Sequence, residues 1–255
     1  MAYRSSGIAV GAITLRNVAK QHSMPGGHSL RVLDDISFEA ADRSFTSILG
    51  PSGCGKSTIL NLIAGLDRQS SGQIAVDGNR IGFVFQQPRL LNWRTVAQNV
   101  ILPLEQQKFD KNDLRSLAGK YLALVGLSGH EDYYPLQLSG GMQQRVAMAR
   151  ALAIDPDILL MDEPFSGLDE ITARKLRQEL LRIWQETGKT ILFVTHSISE
   201  SVFLSQQILI VSAKPARIFK RVAVDLPYPR EYGDMRLFEI ETQLTRDFLG
   251  MGQDA

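Results

Sequence analysis

Cysteine is nearly missing from this chain of 255 residues, which has only Cys54. A lone thiol excludes an internal disulfide framework and suits a reducing compartment. Long apolar runs are missing as well, and none approaches the ~18 residues that a bilayer-spanning helix needs. Gly7 to Leu15 comes nearest to imitating a signal-peptide core. No small-residue cleavage pattern follows it, and the chain runs on into Arg16 and Lys20. It reads as a first strand, and the protein is expected to stay in the cytoplasm. Neither sign of charge is in excess. Lys and Arg total 28 against 27 Asp and Glu, a formal net charge of +1, which gives no reason to expect a nucleic-acid partner. Internal repeats, low-complexity tracts and sustained heptads are absent too. What is present is 44% hydrophobic, enough for a packed core in one large or two modest domains.

The most informative stretch is Gly50-Pro51-Ser52-Gly53-Cys54-Gly55-Lys56-Ser57, followed by Thr58. It fits the pattern G-x-x-x-x-G-K-[ST], a loop that wraps phosphates. Glycines let the backbone turn tightly and approach a ligand closely. Consecutive N–H groups can then point at phosphate oxygens. Lys56 supplies a point charge for β- and γ-phosphates, and Ser57 a hydroxyl for Mg²⁺. Apolar Phe45 to Leu49 reads as a strand before the loop, and Thr58 to Ala64 as a helix after it. That order gives the loop a positive helix end. Cys54 inside the loop reads as a small filler rather than a nucleophile.

Strands are expected over 8–15, 31–40, 73–76 and 81–85, with turns at Ser23 to Gly27, Ser70-Ser71-Gly72 and Asp77-Gly78. From about 94 to 153 the pattern turns helical. Leu114, Leu117, Ala118, Tyr121 and Val125 share helical spacing, and Ser139 opens a helix running to about Ala153. Ile158 to Met161, Thr190 to Val194 and Ile208 to Val211 read as buried strands. Ile171, Leu176, Leu180, Ile183 and Trp184 read as the apolar stripe of a long helix that Gly188 ends, with Trp184 in the core. The alternation implies an α/β fold with a mostly parallel sheet.

Two further motifs carry chemistry. The strand Ile158 to Met161 ends in Asp162 and Glu163. Beside a phosphate loop, such an Asp helps hold Mg²⁺, and the adjacent Glu can orient or deprotonate an attacking water. Leu138-Ser139-Gly140-Gly141 caps a helix and exposes N–H groups at its start, a second anion-seeking end. One economical arrangement lays a triphosphate between the two helix ends, each from a different molecule.

At this point the residues resemble a known family, the ATPase subunit of ATP-binding cassette (ABC) transporters. Six segments carry the resemblance in order: GPSGCGKST, the Gln86 region, LSGGMQQR, ILLMDEPF, Ser166-Gly167-Leu168-Asp169, and His196 after a strand. The resemblance implies a P-loop NTPase with a mostly parallel core sheet, an N-terminal antiparallel β subdomain and an inserted α-helical subdomain. It implies an ATPase domain over 8–225, a helical insert at about 94–153 and a short helical tail over 226–255. It also implies ATP and Mg²⁺ as ligands. Gly50, Ser52, Gly53, Cys54, Gly55, Lys56, Ser57 and Thr58 would hold phosphates. Ser57 and Gln86 would contact Mg²⁺, with Asp162 behind them. Glu163 would be the base and His196 a γ-phosphate contact. Ser139, Gly140 and Gly141 would reach ATP held by a second ABC ATPase subunit, expected to be a copy of this chain, with Asp169 at the seam. A membrane permease, and indirectly an extracytoplasmic solute-binding protein, complete the expected partners at the cytoplasmic face of the inner membrane.

Three departures stand out. The position of the usual adenine-stacking aromatic, four after Val18, holds His22, and Tyr3 is too far upstream by that register. Met142 replaces the commoner Gln of the signature, and Gly72 to Phe85 is short for the family. Finer matches resemble the importer branch for nitrate, taurine and alkanesulfonates: Arg89 to Arg94, Trp184 to Lys189 and Ala213 to Ile218. Leu90, Leu91 and Trp93 are expected to meet a permease helix. The tail is too small for an extra regulatory domain. A soluble non-transport ABC-type ATPase is the alternative. A module without turnover is disfavoured by intact Lys56, Asp162 and Glu163.

Overall fold

The computed structural model describes residues 12–23, 28–105 and 111–250, with only the backbone at 111–112. Tyr3, residues 8–11 of the expected first strand and residues 24–27 of the expected turn lie outside the described residues. The elements begin with β1 (Ile13–Ser23), β2 (Ser29–Ala40), β3 (Phe45–Leu49), α1 (Lys56–Ile63), β4 (Ser71–Val76) and β5 (Ile81–Val84). The helical stretch follows as α2 (Val96–Ile101), α3 (Lys111–Leu124) and α4 (Gly140–Ala153). Then come β6 (Ile158–Asp162), α5 (Glu170–Thr187), β7 (Thr190–Thr195), α6 (Ile198–Leu204), β8 (Gln207–Val211), β9 (Ile218–Ala223) and α7 (Met235–Gly250). The chain divides into two compact units, Met1–Gly78 with Thr190–Ala255, and Asn79–Lys189.

In the first unit, β3 lies between parallel β7 and β8, and β9 adds antiparallel to β8. Every residue of β3 and β7 is buried, which is why both read as unbroken apolar runs rather than alternating ones. A separate antiparallel sheet has the order β2-β1-β4. The second unit pairs β5 with β6 in parallel and adds α2 to α5. The fold is α/β with a mostly parallel sheet, an antiparallel N-terminal sheet and helices, as expected.

Three expectations need correction. The first strand does not stop at Leu15 but runs to Ser23. Asn17, at φ 49°, makes a bulge where the register shifts between Leu15 and Val18. The extra residue restores the inward face, so Val18 and Lys20 are buried again. Gly72 is not a turn residue but part of β4. A Cβ there would meet the Asn17 carbonyl oxygen at 2.3 Å, so the glycine is needed opposite the bulge. Ile171 is not in the stripe of α5 and is 70% exposed, whereas Leu176, Leu180, Ile183 and Trp184 are buried. At 100° per residue it sits roughly 140° around the helix from Leu176.

The strand β9 has no signal in the sequence, because its Phe219-Lys220-Arg221 stretch is exposed and shows no apolar alternation. Arg230, just before the tail helix, is another feature without a sequence signal. It is 5% exposed, and its guanidinium donates to the carbonyls of Val202, Phe203, Ser205, Val224 and Leu226. The first three belong to the C-terminal end of α6, where a cation complements the helix dipole. Arg230→Ala would orphan those carbonyls and is expected to cost about 3–5 kcal/mol of stability in urea unfolding. Unchanged stability would show that water takes over the guanidinium's role.

Candidate functional site

In the first unit the glycine loop leaves the buried end of β3. Gly55 is the N-cap of α1 at φ 119°, and no side chain caps that helix start. The first-turn N–H groups are therefore open to an anion. The loop glycines have distinct reasons. A Cβ on Gly50 would meet Val211 Cγ2 at 2.4 Å, and one on Gly55 would meet Leu33 Cδ2 at 2.9 Å. Gly53 has open space but φ +75°, which side chains rarely adopt. Lys56 is 4% exposed, and its Nζ donates to the carbonyls of Gly50 and Pro51 at 2.9 and 3.0 Å. The ammonium thus spans its own loop. Ser52 and Ser57 are exposed, and Thr58 is half-buried. Cys54 is buried, and that burial pushes its thiol up from the usual range despite nearby Lys56, so it stays protonated and fills space.

His196 follows β7 in the same unit. The register pairs Leu49 with Thr195, so the glycine loop and His196 leave neighbouring strands at one edge. The turn is braced: Ser197 N donates to Thr195 Oγ1 at 3.0 Å, and Thr195 Oγ1 donates to Glu200 Oε2 at 2.6 Å. His196 itself is exposed. His22 is exposed near the end of β1, opposite Leu30. Two residues earlier, Lys20 pairs with Leu33, the residue that closes on Gly55.

In the second unit, β5 and β6 are in register at Val84 and Met161, so the segments starting at Phe85 and Asp162 emerge side by side. Gln86 Nε2 donates to Glu163 Oε2 at 3.4 Å. The structure gives Gln87 no such contact. Asp162 is buried at the strand end, and Glu163 is half-buried at φ 44°. A left-handed glutamate is uncommon, and such residues concentrate at functional positions. Ser139 caps α4 by accepting from Met142 N at 3.3 Å, and Ser139 and Gly140 are exposed. A Cβ on Gly141 would meet Leu168 Cδ2 at 2.7 Å. Asp169 caps α5 by accepting from Thr172 N at 2.9 Å, and that contact holds its carboxyl below the usual range.

Several organising residues carried no sequence signal. Gln144 donates to the Phe85 carbonyl at 3.1 Å. Arg150 donates to the carbonyls of Arg89 and Pro88 at 3.0 and 2.8 Å. Buried Asn99 accepts from Leu91 N and donates to the carbonyls of Leu91, Arg94 and Thr95. Together they fix the loop after Gln86, which presents Trp93 at 75% exposure with Leu90 and Leu91 half-buried. Only their spatial partners, distant in sequence, reveal what they do.

The residues fit both expected ligands. The uncapped α1 start and the glycine cradle suit phosphates. The Gln86 amide nitrogen faces Glu163, which leaves its oxygen as the atom to ligate a metal. Among the described residues no three of His, Cys, Asp and Glu gather as a metal site. That is consistent with Mg²⁺, which uses few protein ligands beside substrate phosphates and water. Among the described residues, no helix is long and apolar enough to cross a membrane.

Comparison with known proteins agrees with this geometry. A family model described as ABC transporter matches residues 33–166. An uncharacterized ABC transporter ATP-binding protein of Methanocaldococcus jannaschii is 46% identical over 225 residues, 86% of this chain and 84% of the relative. The aliphatic sulfonates import ATP-binding protein SsuB of Bacillus cereus is 42% identical over 244 residues, 92% of this chain and 95% of the relative. The taurine import ATP-binding protein TauB of Pelagibacter ubique is 42% identical, with 83% of each chain covered. Among solved structures, the dimeric post-hydrolysis state of the ATP-binding cassette MJ0796 bound to ADP and Pi superposes with a TM-score of 0.78. It is 33% identical, with 86% of this chain and all of that chain covered.

Proposed function

Because this chain belongs to the ABC transporter family, we propose that it is the ATP-hydrolysing subunit of an importer for sulfonates such as taurine. Relatives named for aliphatic sulfonate and taurine import support that solute class. The importer relatives named above give no support to the soluble alternative. The observation that carries the ATPase reading is the uncapped start of α1 behind the glycine loop. The ATPase domain is taken as 8–225, with its helical insert at about 94–153 and the tail at 226–255.

In this reading Gly50 to Thr58 hold the triphosphate by backbone N–H groups, and Lys56 neutralises the β- and γ-phosphates. When bound, Mg²⁺ would offset charge on the transferring phosphoryl group, and Ser57, Gln86 and Asp162 are the residues that would hold it. Glu163 takes a proton from water as that water's oxygen attacks the γ-phosphorus. The bond to the β–γ bridging oxygen breaks, and ADP leaves with phosphate. His196 donates to a γ-phosphate oxygen, and His22 lies against adenine. Ser139, Gly140 and Gly141 meet the γ-phosphate held by a second copy. Solved dimers of a related cassette support the pairing of two copies. ATP does work only because closed and open pairs bind it with different affinity.

The permease is proposed to dock on Leu90, Leu91 and Trp93, which places the subunit at the cytoplasmic face of the membrane. An exposed Trp on a loop held rigid by Asn99 and Arg150 suits such an anchor. Trp93→Ala is expected to weaken permease binding by about 2 kcal/mol or more, roughly 30-fold. ATP turnover of the isolated subunit should stay unchanged. Cross-linking that maps residue 93 far from the permease would refute this docking. The function itself is tested by reconstituting the subunit with its neighbouring membrane protein and solute-binding protein in vesicles. ATP-dependent uptake of taurine or an alkanesulfonate is expected. ATP turnover that never responds to the membrane protein would refute it.

A further inference from the structure

Helix α7 carries two apolar faces. Leu237 and Leu244 are buried and seat it on its own unit. Farther around the helix, Met235, Phe238 and Leu249 are 67%, 61% and 69% exposed. Thr242 and Thr245 complete the same alternating three- and four-residue spacing. Their hydroxyls donate to the Phe238 and Glu241 carbonyls at 2.8 and 2.7 Å. With those hydroxyls satisfied inside the helix, the threonines offer methyl groups to the stripe. Scattered exposed apolar residues need no account. A stripe along four turns at seam spacing has the form of a helix-pairing surface.

The charges beside the stripe select its occupant. Glu239 and Arg246 flank the same side of it and are exposed. Neither has an ion-pair partner among the described residues, unlike Asp247 and Arg236 on the same helix. Seven residues of helix separate them by about 10 Å, too far for them to meet each other. An antiparallel second α7, with its twofold axis between Thr242 and Thr245, satisfies both. Phe238 of each copy then lies opposite Leu249 of the other, and Glu239 of each faces Arg246 of the other. In a parallel pair Glu239 would instead face the opposite flank of the stripe, which carries Asp234 and Glu241, and would find no cation there. We propose that α7 docks antiparallel onto α7 of a second copy of this chain, without any need for nucleotide. Such an isologous contact repeats every favourable pair twice. Two four-turn helices bury less than the ~1,200 Å² of a stable interface, so the contact is reversible. Its effect is to raise the local concentration of one subunit around the other.

Sedimentation of the full chain without nucleotide tests this, and it does not depend on the ATPase reading. The wild type is expected to show concentration-dependent monomer–dimer exchange. Glu239→Arg or Arg246→Glu alone should lower the association constant about tenfold, because each introduces like-charge pairs twice. The double exchange E239R/R246E should restore it to within about threefold, and Phe238→Ser should lower it regardless of charge. ATP turnover and thermal melting of each variant confirm that it is folded. A wild type that stays monomeric at the highest soluble concentration would overturn the proposal. So would a double exchange as weak as its single parents, since a partner other than a second copy would not be rescued.

Discussion

Replacing Glu163 by Gln is expected to lower ATP turnover by about 10²–10⁴-fold while ATP still binds. The substitution is nearly isosteric. An amide oxygen remains to accept from Gln86 Nε2, now at 3.4 Å from the carboxylate. Glutamine at φ 44° is as strained as glutamate, so the backbone contribution cancels between the two proteins. What disappears is the ability to take a proton from water. Steady-state phosphate release measures the loss, and equilibrium nucleotide binding shows that the site persists. With hydrolysis blocked, ATP-held pairs of the chain should accumulate. Turnover equal to the wild type would remove Glu163 from the base role.

Lys56→Ala is expected to abolish most nucleotide binding, with affinity falling on the order of 100-fold or more. Charge-assisted hydrogen bonds contribute about 1.5–3 kcal/mol each, and 2.7 kcal/mol corresponds to a factor of about 100. Lys56 is placed to make such bonds with little ordering cost. It is 4% exposed and already tethered to the Gly50 and Pro51 carbonyls, so its rotamer is largely chosen before a phosphate arrives. An exposed lysine would give up more entropy and contribute less. Calorimetric titration of ATP into the variant is the direct measurement, and wild-type affinity would contradict the assignment.

The two substitutions divide along binding and chemistry. In the proposed mechanism Lys56 interacts with ground-state phosphate charge, so its loss would remove affinity. In the same mechanism Glu163 acts as the water loses its proton, so its loss would remove rate. A variant pair showing the reverse split would require the roles to be exchanged.

The sequence alone determined the strand–loop–helix setting of the glycine loop and the class of the fold. GPSGCGKS needs a buried strand before it and a helix after it, and both are short-range properties of Phe45 to Leu49 and Lys56 to Ile63. The strand-end pair Asp162-Glu163 was legible for the same reason, because an apolar run that stops at two carboxylates marks a sheet edge. Tertiary structure decided whatever depended on partners distant along the chain. The bulge at Asn17 shows its purpose only against Gly72, and Ile171 leaves its stripe only when the helix is wound. Asn99, Arg150 and Arg230 look like ordinary polar residues until the backbone carbonyls they bind are brought to them. Hydrophobic periodicity is written locally, residue by residue, so it survives reading in one dimension. A buried polar side chain is specified by atoms that folding alone delivers, so its role has no local signature.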